Sequence, residues 1–250
     1  MVNNIIEREL MSRFANMHLF TREELFNFFR SFDPNLNEGT FGWRVYDLKK
    51  RNIIETIKKG VYQLVYKQGF KPEPDKKILE IGKLLDTPLC DYYNIWNTSW
   101  LNEFIELQAT SSMTMLEVDR DSVERVFYSL KDNGYQNVYL KPDENVLDRY
   151  VSELTEAIVI KPMVSRAPTQ MANKVAVPTL EKILVDLYCD EKIFFAFQGS
   201  QLNKIYEGAF EKYSINLSRL INYAKRRNRE EGVKQFLLKN LGEKVKDLIG

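Results

Sequence analysis

Apolar residues recur at helical spacing in three successive stretches near the start of the chain. The first covers residues 4–14 and the third covers residues 40–51. The second opens at Thr21, where a capping box pairs the threonine with Glu24, and it stops at Asp33-Pro34. The apolar positions of the three predicted helices are Ile5, Ile6, Leu10 and Phe14; Leu25, Phe28, Phe29 and Phe32; and Phe41, Val45 and Leu48.

Two short β-rich runs follow the third predicted helix. Residues 53–57 and 61–66 flank Lys58-Lys59-Gly60, a glycine-containing turn, and this pattern is typical of a hairpin. Three helices followed by a hairpin is the order of elements in a winged helix-turn-helix. We therefore expect residues 1–68 to form a winged-helix DNA-binding domain.

The third predicted helix has two distinct faces. At about 100° per residue, its apolar positions fall within about 60° of one another and form the core stripe. A neighbouring stripe, about 120° wide, carries Thr40, Trp43, Arg44, Asp47, Lys50 and Arg51. Residues 37–67 hold seven basic and three acidic residues, a local charge of +4. We predict DNA contacts by Thr40, Trp43, Arg44, Lys50 and Arg51 on this stripe, with Lys58 and Lys59 at the wing tip. A solvated helix face on a module used for protein contact is the alternative.

The second half of the chain has a different pattern. A charged segment with Pro72 and Pro74, residues 69–77, separates it from the first half. Strand-like runs at 89–96, 114–118, 137–140 and 157–160 then alternate with helical patterns at 78–85, 99–107, 122–130 and 146–154. From residue 179 onward the pattern is nearly all helical. The fold class we predict is α+β (mixed): a winged helix-turn-helix, a linker at 69–77, and a small α/β domain with a helical C-terminal extension at 78–250, which folds independently.

Composition excludes several classes of protein. The apolar fraction of 44% and charged fraction of 28% are typical of a globular chain and exclude a disordered or fibrous one. With 36 basic and 35 acidic residues, only a local patch can bind nucleic acid electrostatically. The longest apolar run is residues 193–197, and the first ten residues hold no apolar signal core. We expect a cytoplasmic protein.

Residues with strong catalytic or metal-binding chemistry are scarce. The chain has one histidine, His18, and two cysteines, Cys90 and Cys189, too few for a structural zinc site. A Ser-His-Asp or Cys-His mechanism would need His18, which we expect to pack or cap within its own domain. We predict the cysteines to be small apolar core residues of a reducing compartment.

Carboxylates offer two weaker candidates for an enzyme. Gly199-Ser200 begins like a nucleotidyltransferase site, but Glu207 and Glu211 follow at helical spacing without a paired Asp-x-Asp. Glu117-Val118-Asp119 places two carboxylates near a strand end, where a nuclease of the Glu-x-Lys type would need lysine in place of Asp119. No glycine-rich phosphate loop is present. We expect no enzymatic activity, no cofactor and no metal site.

The densest basic cluster lies near the C-terminus. Lys225, Arg226, Arg227 and Arg229 fall within residues 212–250, which hold ten basic and four acidic residues. Such a run is either a solvated helix face or a second contact surface for nucleic acid or an acidic partner.

Two segments resemble the AbiEi-type antitoxin family of bacterial abortive-infection systems. Residues 175–187, VAVPTLEKILVDL, resemble its valine-rich strand, short link and helix ending in leucine-Asp-leucine. Residues 216–227, NLSRLINYAKRR, resemble its helix in which Tyr-Ala precedes basic residues. The resemblance covers most of the chain in the order of elements. It does not extend to the segment from Trp96 to Glu103.

The resemblance implies a transcriptional repressor and antitoxin encoded beside a nucleotidyltransferase toxin. The N-terminal domain of such proteins binds double-stranded DNA at inverted repeats in its own promoter. The C-terminal domain neutralises the toxin, in the best-known systems without a stable toxin complex, and the basic cluster is its best candidate surface. Two other functions stay open: a nuclease or nucleotidyltransferase guided by the winged helix, and a protein-interaction adaptor.

Overall fold

Three helices and a small antiparallel sheet form the N-terminal module, residues 2–65. The structure is a computed structural model that describes residues 2–15, 17, 19–51, 53–65, 69–86, 88–105, 111–147, 154–242 and 245. His18 lies outside the described residues. The elements of the module are α1 (Val2–Phe14), β1 (Phe20–Thr21), α2 (Arg22–Arg30), α3 (Glu38–Lys50), β2 (Ile54–Lys58) and β3 (Val61–Leu64).

Helical periodicity predicts the core of this module well. The sheet has the order β1-β3-β2, and one side of each helix packs against it. The buried residues include Leu10, Phe14, Leu25, Phe29, Phe41, Val45 and Leu48. The predicted capping box is present, since the Thr21 amide donates to Glu24 Oε2 at 2.7 Å and Thr21 Oγ1 accepts from the Glu24 amide at 3.2 Å. Of the predicted apolar stripe of α2, Phe32 is exposed.

A four-stranded mixed sheet forms the centre of the C-terminal module, residues 69–245. Its order is β4-β5-β7-β6, with β5, β7 and β6 parallel and β4 antiparallel to β5. The elements before the last helices are α4 (Lys76–Leu85), β4 (Tyr93–Asn97), a 3₁₀ helix (Thr98–Phe104), β5 (Ser112–Val118), α5 (Val123–Asp132), β6 (Val138–Leu140), α6 (Glu144–Val146) and β7 (Glu156–Pro162). The β8 (Thr169–Ala172) and β9 (Val175–Pro178) strands then form a separate hairpin.

Alternating residues of this sheet face two different cores. Ile95, Leu116 and Ile158 pack under α4, α5 and the β8–β9 hairpin. Trp96, Met115 and Val159 pack against four helices: α7 (Leu180–Cys189), α8 (Ser200–Lys212), α9 (Leu217–Arg226) and α10 (Glu230–Leu241). The chain is therefore a mixed α+β protein with a helical C-terminal part, as the pattern predicted.

Close packing of α4 on the hairpin explains one glycine. A Cβ on Gly82 would lie 2.7 Å from Val175 Cγ2, closer than van der Waals contact permits. The resemblance implies the valine-rich strand β9, but β8 was not predicted, because Thr169 is its one β-branched residue.

Two of the predicted elements need correction. The helix expected at 99–107 is the 3₁₀ helix Thr98–Phe104, which buries Leu101 beside Trp96. Within the segment from Trp96 to Glu103, Trp96, Thr98 and Leu101 are buried, whereas Ser99 and Glu103 are exposed. The helix expected at 146–154 overlaps α6 (Glu144–Val146) only at Val146, and residues 148–153 lie outside the described residues.

The segment 69–77 is packed rather than a bare linker. Phe70 is buried, with its ring 5.3 Å from that of Tyr213 and 6.2 Å from that of Trp100. The two modules also touch directly, because Ser218 Oγ donates to the carbonyl of Ile57 and Ser214 Oγ lies 3.3 Å from Glu55 Oε1. The N-terminal module is thus held against the N-terminal end of α9.

No helix among the described residues is both long and apolar enough to cross a membrane.

Candidate nucleic-acid interface

The exposed face of α3 carries two large aromatic side chains. Trp43 is 66% exposed and Tyr46 is 62% exposed, one helical turn apart and on the side away from the core residues of α3. Single exposed apolar residues are ordinary, whereas two neighbouring exposed rings on one helix make this face a candidate contact surface. The two rings form the centre of what we call the α3 face.

Small and basic residues complete the α3 face. Thr40 is exposed in the first turn, where the Asn37 side chain caps the helix by accepting from the Thr40 amide at 2.8 Å. Lys49 and Lys50 are exposed in the last turn, where positive charge also stabilises the helix dipole. Gly42 lies between these ends, and a Cβ added there would meet no atom within 4 Å. Packing within the chain therefore does not explain why this helical position lacks a side chain.

Arg44 differs from its prediction as a DNA-contacting residue. Its guanidinium points back toward α2, with Nη2 3.0 Å from Asp33 Oδ2 and the group 5.2 Å from the ring centre of Phe29. Its Nη1 is buried without a hydrogen-bond partner among the described residues. Arg44 thus joins α3 to the end of α2 and is not free for DNA in this conformation.

Arg51 is also held within the chain. Its Nε donates to Asp47 Oδ2 at 2.8 Å, and Nη1 pairs with Glu7 on α1. These contacts raise the pKa of Arg51, with the hydrogen bond that Arg51 donates to Glu7 as the largest cause. The predicted stripe therefore divides: Thr40, Trp43 and Lys50 face outward, whereas the two arginines tie α3 to α1 and α2.

The hairpin places a second pair of lysines at the surface. Lys58 and Lys59 are exposed at the β2–β3 turn, which Gly60 closes with a φ of +78°. The Arg22 amide donates to the Gly60 carbonyl at 2.7 Å and so fixes this turn beside the start of α2. The predicted wing lysines are positioned on a braced turn.

The C-terminal basic cluster does not form one surface. Lys225, Arg226 and Arg229 are exposed near the end of α9, as a contact surface requires. The Arg227 side chain is 15% exposed and turns inward, donating at 2.6 Å both to Asp186 Oδ1 and to Asp190 Oδ1. Arg227 was wrongly placed on the partner surface.

Arg227 belongs to a buried group that we call the ion cluster. Its members are Glu117 on β5, Lys161 on β7, Lys182 and Asp186 on α7, Asp190 and Arg227. Lys182 Nζ lies 2.5 Å from Asp186 Oδ2 and 2.8 Å from Glu117 Oε2, the latter as an ion pair without hydrogen-bond geometry. Three acids and three bases balance, which is what allows these charges to be buried.

Electrostatics within the ion cluster favour the charged forms. Burial opposes ionisation of Asp186, but Lys182 and the cluster's other two cations outweigh it and lower the pKa of Asp186 to about 2. The Tyr223 hydroxyl donates to Asp186 Oδ1 at 2.8 Å, and burial raises the pKa of Tyr223. The ion cluster connects the sheet to α7 and α9.

Candidate catalytic residues are not brought together. Glu117 lies in the ion cluster, whereas Asp119 accepts from the Asp91 amide at 2.9 Å. Gly199 and Ser200 form the start of α8, and Glu207 is exposed on that helix. Burial raises the pKa of Cys90 and of Cys189 to about 11, which keeps both thiols protonated at neutral pH. Within the described ranges, no group of three or more His, Cys, Asp or Glu residues is placed to hold a metal ion.

Comparison with protein families finds a match over most of the chain. Residues 40–243 match the sequence profile of a family of unknown function (DUF6577). The chain belongs to this family. The match begins at the first turn of α3 and includes the α3 face, the wing lysines and the ion cluster. Comparison with curated proteins finds no significant match.

Proposed function

We propose that this DUF6577 protein is a DNA-binding transcriptional regulator that inserts α3 into the major groove. The observation that carries the proposal is the α3 face, where exposed Trp43 and Tyr46 lie between Thr40 and Lys50. The sheet order β1-β3-β2 beside three helices supports the winged-helix interpretation of the N-terminal module. In such modules one helix reads base edges, while basic groups on neighbouring elements contact phosphates.

The roles follow from side-chain chemistry. Thr40 and the ring of Trp43 would contact base edges and thymine methyl groups near the start of α3. Lys49 and Lys50, with Lys58 and Lys59 on the wing, would contact phosphates. Arg44 and Arg51 act indirectly, because they hold α3 at its angle to α1 and α2.

The wider setting we propose comes from the AbiEi resemblance. The protein would repress its own promoter and act as antitoxin to a nucleotidyltransferase encoded nearby, in the cytoplasm. Lys225, Arg226 and Arg229 would form the partner surface. We also propose that the chain has no catalytic activity of its own, since each carboxylate of the ion cluster already neutralises a lysine or arginine.

A direct binding titration tests DNA binding. We expect the full chain to bind a labelled duplex from upstream of its own gene more tightly than a scrambled duplex of equal length. Trp43→Ala should weaken specific binding by about 1–3 kcal/mol and leave binding to scrambled duplex nearly unchanged. Tyr128→Ala, which removes an equally exposed ring on α5, is the matched control. Equal binding of both duplexes by wild type would refute the proposal.

One observation favours the adaptor function as the second candidate. Aromatic rings occupy the centre of the α3 face, and both arginines of the predicted stripe are engaged within the chain. Trp and Tyr are enriched where proteins bind proteins. Loss of partner capture by Trp43→Ala, together with no duplex binding by wild type, would support the adaptor.

A further inference from the structure

A cavity of about 600 Å³ opens in the C-terminal module, on the side of the sheet that carries α4. Its walls are the end of α4, the segment leading into β4, and the loop 163–167 after β7. This volume lies within the range of small-molecule sites in proteins, about 300–1,000 Å³. Neither the α3 face nor the ion cluster contributes to it.

The wall on the α4–β4 side offers an aromatic ring and two carboxylates. Tyr92 is 53% exposed and lines the cavity. Asp86 and Asp91 line it as well, and the Tyr93 hydroxyl lies 3.2 Å from Asp86 Oδ1. A stacking ring beside hydrogen-bond acceptors suits a nucleobase, whose exocyclic amino and ring N–H groups are donors.

The opposite wall carries one basic side chain, Arg166. Arg166 lines the cavity from the loop after β7, with a backbone φ of +56° that is unusual for a residue other than glycine. Arg226 Nη1 lies 3.4 Å from Ser165 Oγ, which puts the basic end of α9 against the same loop. Guanidinium groups in this position are suited to a phosphate.

The Tyr92 segment is held in place before any ligand binds. Asp119 accepts from the Asp91 amide at 2.9 Å, and its own amide donates to the Tyr92 carbonyl at 3.3 Å. Behind the cavity, the fully buried Asn94 donates to Thr169 Oγ1 at 2.9 Å, and Thr169 is a wall residue. The Asn94 Oδ1 atom has no hydrogen-bond partner in the described part of the chain.

We propose that this cavity binds a nucleotide, with the base stacked on Tyr92 and the phosphate at Arg166. The nucleotide is either free in solution or one unit of a single-stranded RNA, since both present a base and a phosphate. This site lies in the other module from the α3 face. A failure of duplex DNA binding would therefore not refute this nucleotide site, and a failure of nucleotide binding would not refute duplex DNA binding.

Equilibrium titration of the full chain tests the site, with the four nucleoside monophosphates and fluorescein-labelled A8, C8, G8 and U8 RNAs as probes. Tyr92→Ala should weaken binding by about 5- to 150-fold, the equivalent of one stacked base. Tyr92→Phe should retain binding. Arg166→Gln should weaken binding, and the difference in affinity from wild type should be larger at low salt than at high salt, because salt screens the contact between arginine and phosphate. Tyr128→Ala and Lys239→Gln, at exposed sites on α5 and α10, are the matched controls.

The two probe sets separate the sources. Binding of an octamer but of no monophosphate identifies RNA as the ligand, and binding of a monophosphate alone identifies a free nucleotide. Both outcomes support the site if Tyr92→Ala and Arg166→Gln reduce the affinity and the controls do not. Absence of binding to every probe, or equal loss in Tyr128→Ala, would overturn the proposal.

Discussion

Substitutions at Gly42 should change the stability of α3 and its DNA binding in different directions. A glycine inside a helix costs about 1 kcal/mol relative to alanine, and a Cβ at Gly42 would meet no atom within 4 Å. Gly42→Ala should therefore stabilise the protein by up to about 1 kcal/mol, which corresponds to about 2–4 °C in melting temperature for a chain of this length. The measurement is thermal unfolding followed by circular dichroism.

A larger side chain at the same position should block DNA. Leucine is a favourable helix former and Gly42 is exposed, with open space at its Cβ position, so the fold should again be no less stable than wild type. The leucine side chain would hold the helix backbone away from the groove, and the loss of at least one base contact predicts about 1–3 kcal/mol weaker binding to upstream duplex. Gln235→Leu, at an exposed position of α10, controls for an added surface leucine.

The combination of outcomes is what tests the reasoning. If Gly42→Ala is more stable and Gly42→Leu binds DNA more weakly, the results support close approach of the helix backbone to DNA at Gly42. A Gly42→Leu protein that is at least as stable and binds the duplex as tightly as wild type would refute insertion of α3. Loss of stability in Gly42→Ala would instead show that the position is not open, contrary to the structure.

Three further predictions concern charge. Arg227→Gln should destabilise the fold by about 3–5 kcal/mol, because it leaves the ion cluster with three carboxylates and only two cations, whereas the exposed Arg226→Gln should change stability little; chemical denaturation compares the two. The depressed pKa of Asp186 predicts stability that is complete above pH 4–5 and lost as pH falls toward about 2, by about 2–3 kcal/mol; an acid titration of unfolding that finds no loss from pH 5 to 2 would contradict it. Replacing Lys58 and Lys59 with Gln should weaken binding to all duplexes alike and lower the slope of log K against log salt by about 1–2, and an unchanged slope would remove these lysines from the interface.

Periodicity predicted which side of each N-terminal helix is buried but not what its charged residues do. The apolar stripe of α3 is correct because burial follows the 3.6-residue repeat. The partners of Arg44 and Arg51, Asp33 and Glu7, are set by how three helices pack, and a single helix holds no such information. Tyr46 lies opposite the core stripe, and helical angles alone would have placed it on the exposed face.

Part of the ion cluster could have been predicted from the sequence, because two of its charged residues lie in a helix that is otherwise mostly apolar. The residues around Lys182 and Asp186, such as Leu184 and Val185, are apolar on every side of α7, and a helix that is apolar all round is buried. Charges four residues apart in such a helix must therefore be buried and paired. Their further partners on β5, β7 and α9 depend on the tertiary fold. Arg227 was predicted to be one of four surface cations because it stands in the basic run 225–229.

Chemical protection of guanines in the major groove tests the central claim most directly. Dimethyl sulfate methylates guanine N7, an atom that lies in the major groove, and a helix inserted there shields it. We predict that wild type protects a small set of guanines in the duplex upstream of its gene, repeated at about one helical turn if two copies bind, and that Gly42→Leu does not protect them. An unprotected major groove at protein concentrations that saturate the duplex would contradict the account.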